Sequence, residues 1–122
     1  MDKPPRRTFR KIERLCSKKV IDALFTGGNK SFSAFPLRVV YMERSEPGAQ
    51  VLISVSKRRF KHAVDRNRIK RQIREAYRLN KDILPAEKGL YLAFIWLSDE
   101  LFTSKVVTNR VINLLNRIKE ND

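Results

Sequence analysis

The sequence predicts an α/β fold of the two-layer (α+β) sandwich kind, one mixed sheet with helices packed on it. Three observations carry that prediction. Apolar spacing runs from helical to alternating, back to helical, through a short all-apolar run, and ends helical again. That all-apolar run, residues 90–97, has the length of a strand covered on both faces. A length of 122 residues with 42% hydrophobic content suits one modest core.

The elements follow in order. Residues 1–11, with Pro4-Pro5 and many bases, read as a flexible basic arm, and 12–122 as a single domain. Ser17 is a good N-cap, and Leu15 and Cys16 are placed to pack back on the turn it opens. Val20, Ile21, Leu24 and Phe25 then form an amphipathic stripe, ended by Gly27-Gly28, where glycine takes a left-handed C′ conformation at little cost. From 32 to 41 the period is two, with Phe35, Leu37, Val39 and Tyr41 on one face. Pro36 marks an edge or a strand start, because it cannot donate to a ladder. Glu46, Pro47 and Gly48 make a turn to a second strand over 50–56, and the two strands are expected to form a hairpin.

A helix over 62–80 buries Ile69, Ile73, Ala76 and Tyr77 at i, i+4, i+7 and i+8. Asn67, Arg68, Lys70, Arg71, Arg74 and Arg78 cover the opposite arc, roughly 160° wide at 3.6 residues per turn. After Pro85 and Gly89 comes the apolar strand. Thr103 or Ser104 caps a last helix with the core stripe Val107, Val111, Leu114, Leu115 and Ile118.

Charge separates the function classes. The chain carries 27 Lys and Arg against 13 Asp and Glu, a formal net charge of +14. Residues 1–19 are net +6, 20–56 are neutral, 57–81 are net +9, and the rest is net −1. Nine uncompensated charges in 25 residues repel one another unless a polyanion neutralises them. Nucleic acid is therefore the expected partner. One cysteine excludes an internal disulfide framework, and with His62 as the only histidine it builds no zinc site. The 90–97 run is too short to span a bilayer, and no apolar stretch follows the basic N-terminus, so neither a membrane segment nor a secretory signal is expected. A soluble, reducing-compartment protein is the expectation.

No catalytic constellation emerges. A protein nuclease needs paired carboxylates on metal ions or a histidine pair. His62 stands alone among Lys61, Arg59 and Arg66, and reads as a helix-start residue or a phosphate contact. Asp65 and Glu75 lie on different faces of their helix, as a first-turn acid facing the dipole and a local ion-pair partner. Cys16 reads as a small hydrophobe. Gly27-Gly28 lacks the lysine and spacing of a phosphate loop.

The most specific stretch is SVSKRRFKHAVDRNRIKRQIREAY, residues 54–77. Physically it is a strand leaving the sheet, a basic loop, and a helix displaying arginines whose planar donors suit phosphate oxygens. Asn67 can act as donor and acceptor together toward a phosphate or 2′-hydroxyl. This stretch resembles the RNR motif of the bacterial ribonuclease P protein family, where S-V-S-K precedes a helix beginning A-V-x-R-N-R-x-K-R-x-I-R. The likeness runs along nearly the whole chain, through Arg14-Leu15, F-x-L in the first strand region and the terminal helix.

The resemblance implies what the residues alone do not. It implies a subunit of an endoribonuclease that removes the 5′ leader of precursor tRNA in the cytoplasm, with the active site and Mg²⁺ held by a catalytic RNA subunit. It implies a four-stranded mixed sheet in the order α-β-β-β-α-β-α with a left-handed β-α-β crossover, and a free protein that is monomeric. It places Lys57, Arg58, Arg59, Lys61, Arg66, Asn67, Arg68, Lys70, Arg71 and Arg74 against the catalytic RNA. It places Phe25, Ile21 and Arg38 in a leader-binding cleft between the first helix and the sheet. Ile21 stands where an aromatic is common, and Arg38 where a tyrosine is often found, though a guanidinium can hold a phosphate or stack. Phe25 is open to a second reading as ordinary core. The alternative function is that of a ribosomal or general double-stranded-RNA-binding protein.

Overall fold

The computed structural model describes residues 14–15, 17–26 and 30–121. The elements are α1 (Lys18–Phe25), β1 (Lys30–Ala34), β2 (Leu37–Glu43), β3 (Gly48–Ser54), α2 (Ala63–Asn80), a 3₁₀ turn (Lys81–Ile83), β4 (Gly89–Trp96) and α3 (Ser104–Asn121). The predicted arm, Cys16 and Gly27-Gly28 lie outside the described residues.

The four strands form one mixed sheet in the order β1-β2-β4-β3. β1 pairs antiparallel with β2, β2 antiparallel with β4, and β3 parallel with β4. The expected hairpin between the second strand region and its predecessor is therefore absent. β4 enters between them and pairs with both, and its two apolar faces are covered by α2 and α3 on one side and by α1 on the other. The β2–β3 turn straddles the start of β4, with Arg44 N donating to Gly89 O at 2.9 Å and Gly48 N to Lys88 O at 3.1 Å. A Cβ on Gly89 would collide with the carbonyl oxygens of Arg44 and Glu46, so the passage needs glycine.

The predicted single strand over 32–41 is also two strands. It breaks at Phe35-Pro36, a cis peptide, and Pro36 stands immediately before β2. Phe35 leaves the buried face and is 62% exposed, packing edge-on against Phe102 at 6.2 Å.

One face of the sheet carries α2 and α3 over the main core. Leu37, Val39, Tyr41, Leu92, Phe94 and Trp96 of the sheet meet the two predicted helical stripes, every residue of which is buried. Gln72 ties the start of α3 to α2, donating to Phe102 O at 3.0 Å and to Ser104 Oγ at 3.1 Å. Thr103 caps α3, accepting from Val106 N at 3.4 Å. The opposite face carries α1 over a smaller cluster of Leu15, Leu24, Val40 and Ala93. Ser17 accepts from Val20 N at 3.5 Å, as the N-cap reading predicts.

Both sheet edges are covered. Along β1, Arg117 donates to Ser33 O at 2.7 Å and lies over the Phe32 ring, while Arg110 donates to Phe35 O at 2.8 Å. Along β3, Arg14 bridges to Val51, and Leu15 N donates to Val51 O at 2.9 Å.

Candidate nucleic-acid interface

The interface starts where β3 ends. Val55 and Phe60 are buried, and the chain between them has to bulge outward. Ser56 folds that bulge: its Oγ accepts from Arg58 N at 3.1 Å, and its carbonyl accepts from Arg59 N at 3.2 Å and Phe60 N at 3.3 Å. Lys57, Arg58 and Arg59 are left exposed at the tip, and Lys61 is exposed beyond the Phe60 anchor.

α2 continues the surface. Because Ile69, Ile73, Ala76 and Tyr77 are fixed against the sheet, the helix can present only one arc outward. Asn67, Arg68 and Arg71 are exposed on it. Lys70 and Arg74 are half-buried. Arg74 Nε is enclosed without a hydrogen-bond partner among the described residues. Arg66 differs from the others. Its Nη1 turns back to donate to Phe60 O at 2.7 Å and Lys61 O at 3.1 Å.

The charged arc has a defined end. Arg78 pairs through both its Nε and Nη2 with the Glu75 carboxylate, the Nε bond being 3.1 Å. That hydrogen bond, and the attraction behind it, hold the Glu75 carboxyl below its ordinary value and raise Arg78. Asp65 sits in the first turn of α2, where a negative charge favours the helix dipole. No three His, Cys, Asp or Glu side chains converge among the described residues. No helix among them is long and apolar enough to cross a membrane.

The second predicted surface lies on the α1 side. Ile21 is half-buried and packs into the smaller cluster. Phe25, at the last turn of α1, is 48% exposed, so its ring has a free face that a core residue lacks. Arg38 is exposed, its Nη2 3.4 Å from Ser31 Oγ. Strand register sets Ser33, Arg38, Ile95 and Ser54 side by side across this face.

The row runs into a notch of about 380 Å³ at the carboxyl ends of β3 and β4, lined among others by Ser54, Ser56, Arg58, Arg59, Ile95 and Asp99. The basic loop therefore belongs to both surfaces. Sequence reasoning missed Ser54, Ile95 and Asp99 here, because only the parallel pairing of β3 with β4 brings them beside the loop. No local signal in the sequence places them there, because the all-apolar run marks β4 as covered on both faces and does not say which strands flank it.

A cationic helix face joined to a half-open sheet face with an exposed aromatic offers donors and a stacking surface of the kind that suits RNA. Comparison with known proteins agrees. A sequence model of the family described as Ribonuclease P matches residues 9–119. A Ribonuclease P protein component of Porphyromonas gingivalis strain W83 is 43% identical over 129 aligned positions, spanning 99% of this chain and 93% of that one. A second, from Clostridium kluyveri, is 42% identical over 107 positions, spanning 87% of this chain and 94% of that one. Among solved structures, the RNase P protein from Thermotoga maritima superposes with a TM-score of 0.74 at 26% identity, over 86% of this chain and 96% of that one.

Proposed function

The chain belongs to the ribonuclease P protein family, and on that premise we propose that it binds a catalytic RNA through α2 and the basic loop and contacts the 5′ leader of precursor tRNA through its α1 face, so promoting removal of the leader to form the mature tRNA 5′ end. The observation that supports this most directly is the net +9 of residues 57–81 mounted on a helix whose other face is locked in the core.

Lys57, Arg58, Arg59 and Lys61 on the loop, and Arg68, Lys70, Arg71 and Arg74 with Asn67 on the helix, supply donors for phosphate oxygens and 2′-hydroxyls. Phe25 offers a stacking face to an unpaired leader base, and Arg38 a cation on the face of the sheet that carries α1. Ile21 adds apolar contact at the base of that cleft. In this reading the chain's part is binding and positioning, and Mg²⁺ and hydrolysis belong to the RNA partner. The cytoplasm and a monomeric free protein accord with this role.

Reconstitution tests the proposal. The purified chain alone should cut nothing, yet it should restore leader cleavage by a bacterial ribonuclease P RNA at low Mg²⁺. Its affinity for the RNA-bound substrate should depend on the presence of a 5′ leader. Stimulation absent at every protein concentration refutes the proposal, and binding indifferent to the leader points to a general double-stranded-RNA binder.

A further inference from the structure

We infer that Arg66, the first arginine of the R-N-R triplet, is a positioning residue that clamps the basic loop from behind and makes no phosphate contact of its own. The inference rests on the functional reading above and assigns one of its cations a different task.

The geometry begins with the helix. Arg66 is the fourth residue of α2, and helical side chains lean toward the N-terminus, so a long one reaches back over the entering chain. The carbonyls of Phe60 and Lys61 precede the N-cap residue His62 and lie outside the helical ladder, which begins with Asp65 N and Arg66 N on His62 O. His62 provides no side-chain cap. Arg66 Nη1 donates to both of these carbonyls, at 2.7 and 3.1 Å. A cation at this end of a helix opposes the dipole, within a segment already net +9. Carbonyl oxygens are what make that position favourable, so the guanidinium is directed inward.

The consequence falls on the loop. Phe60 is held by its ring in the core and by its carbonyl on Arg66, while Ser56 closes the other end. Lys57, Arg58 and Arg59 are thereby displayed on a short, closed bulge, and the entropy of ordering them is spent before RNA arrives. Arg68, two residues on, is exposed, with no such bond among the described residues.

Two measurements on the full chain test this. In the free protein, trypsin cleavage within 57–61 should accelerate at least about tenfold in Arg66→Met, which loses both charge-assisted bonds, to Phe60 O and Lys61 O, and so shifts the local opening equilibrium. Cleavage in α3 is the control for global unfolding, and Arg66→Lys, which keeps a donor, should fall between wild type and Arg66→Met. Arg68→Met, with the same loss of charge, should leave loop cleavage unchanged.

With ribonuclease P RNA as the probe, Arg66→Met should weaken binding about tenfold alone but by no more than about twofold in an Arg58→Ala/Arg59→Ala background, the non-additivity of residues that act as a unit. Loop cleavage unaltered in both Arg66 variants overturns the clamp. Equal losses in the two backgrounds assign Arg66 its own RNA contact and overturn it as well. If the wild-type chain fails to bind the RNA, the trypsin measurement still decides the clamp, and the failure lies with the functional reading.

Discussion

Replacement of Arg68 or Arg71 by alanine probes the interface with the least disturbance to the fold. Both are exposed on α2, away from the stripe of Ile69, Ile73, Ala76 and Tyr77, and neither side chain has a hydrogen bond or ion pair among the described residues. Eight outward cations, Lys57, Arg58, Arg59, Lys61, Arg68, Lys70, Arg71 and Arg74, are available for phosphates. At roughly 0.7 to 0.9 counterions released per contact, full engagement gives a log–log salt slope of about −6 to −7. Each substitution should flatten that slope by roughly 0.7 to 0.9. The accompanying loss of about 1.5 kcal/mol, roughly tenfold in affinity, is that of one charge-assisted hydrogen bond at an exposed site.

Titration of labelled ribonuclease P RNA between about 50 and 200 mM monovalent salt resolves a slope change of that size. Arg78→Ala is the internal comparison, since Arg78 is already neutralised by Glu75 and lies on an exposed pair of little net worth. A slope unchanged in Arg68→Ala and Arg71→Ala, or flattened equally in Arg78→Ala, refutes the assignment of this arc to RNA.

Tyr77→Ala should act on the fold alone. Its ring is buried and meets Phe94 edge-on at 6.2 Å, so truncation should cost about 3 kcal/mol or more in denaturant unfolding, while the salt slope of the folded protein stays as in wild type. Glu75→Gln should do the reverse, releasing Arg78 and steepening the salt slope by up to about 0.9 without measurable loss of stability. Because the Glu75 carboxyl is held below its ordinary value, the ion pair is complete at neutral pH and is lost only as pH falls through that lowered value. The wild-type protein should therefore acquire the variant's steeper slope only in acid, and a difference between the two that is absent at pH 7 counts against the pairing.

What could be read from the sequence is what depends on local periodicity. The buried stripes of α2 and α3 match residue for residue, because each is set by the helical repeat against a single partner surface. Ser17 and Thr103 act as caps through bonds spanning three residues. Strand order was beyond reach, since the turn at Glu46, Pro47 and Gly48 has the composition of a hairpin but joins strands separated by β4. The break at Phe35-Pro36 was half legible: Pro36 reads as a strand start, and β2 begins just after it, but Phe35 stays in phase with Leu37, Val39 and Tyr41 while pointing elsewhere. Arg66 illustrates the same boundary within the site. A charge map counts it with Arg68 and Arg71, and only the path of the chain before the helix shows that it turns inward.

The arc of charge on α2 costs the free protein stability of a kind that a loop of equal charge would escape. In a helix, like charges at i and i+3 or i+4 are neighbours, and Arg68, Arg71 and Lys70, Arg74 stand in that relation. The helix tolerates this because its inner face is held by burial worth far more than surface repulsion of a few tenths of a kcal/mol per pair. Since α2 also connects the parallel strands β3 and β4, its orientation is dictated by the sheet on both sides of it in the chain. The core therefore sets the spacing and direction of the cations before any partner is present, and a polyanion that neutralises them relieves the repulsion. By linkage, whatever binds that face also stabilises the fold that displays it.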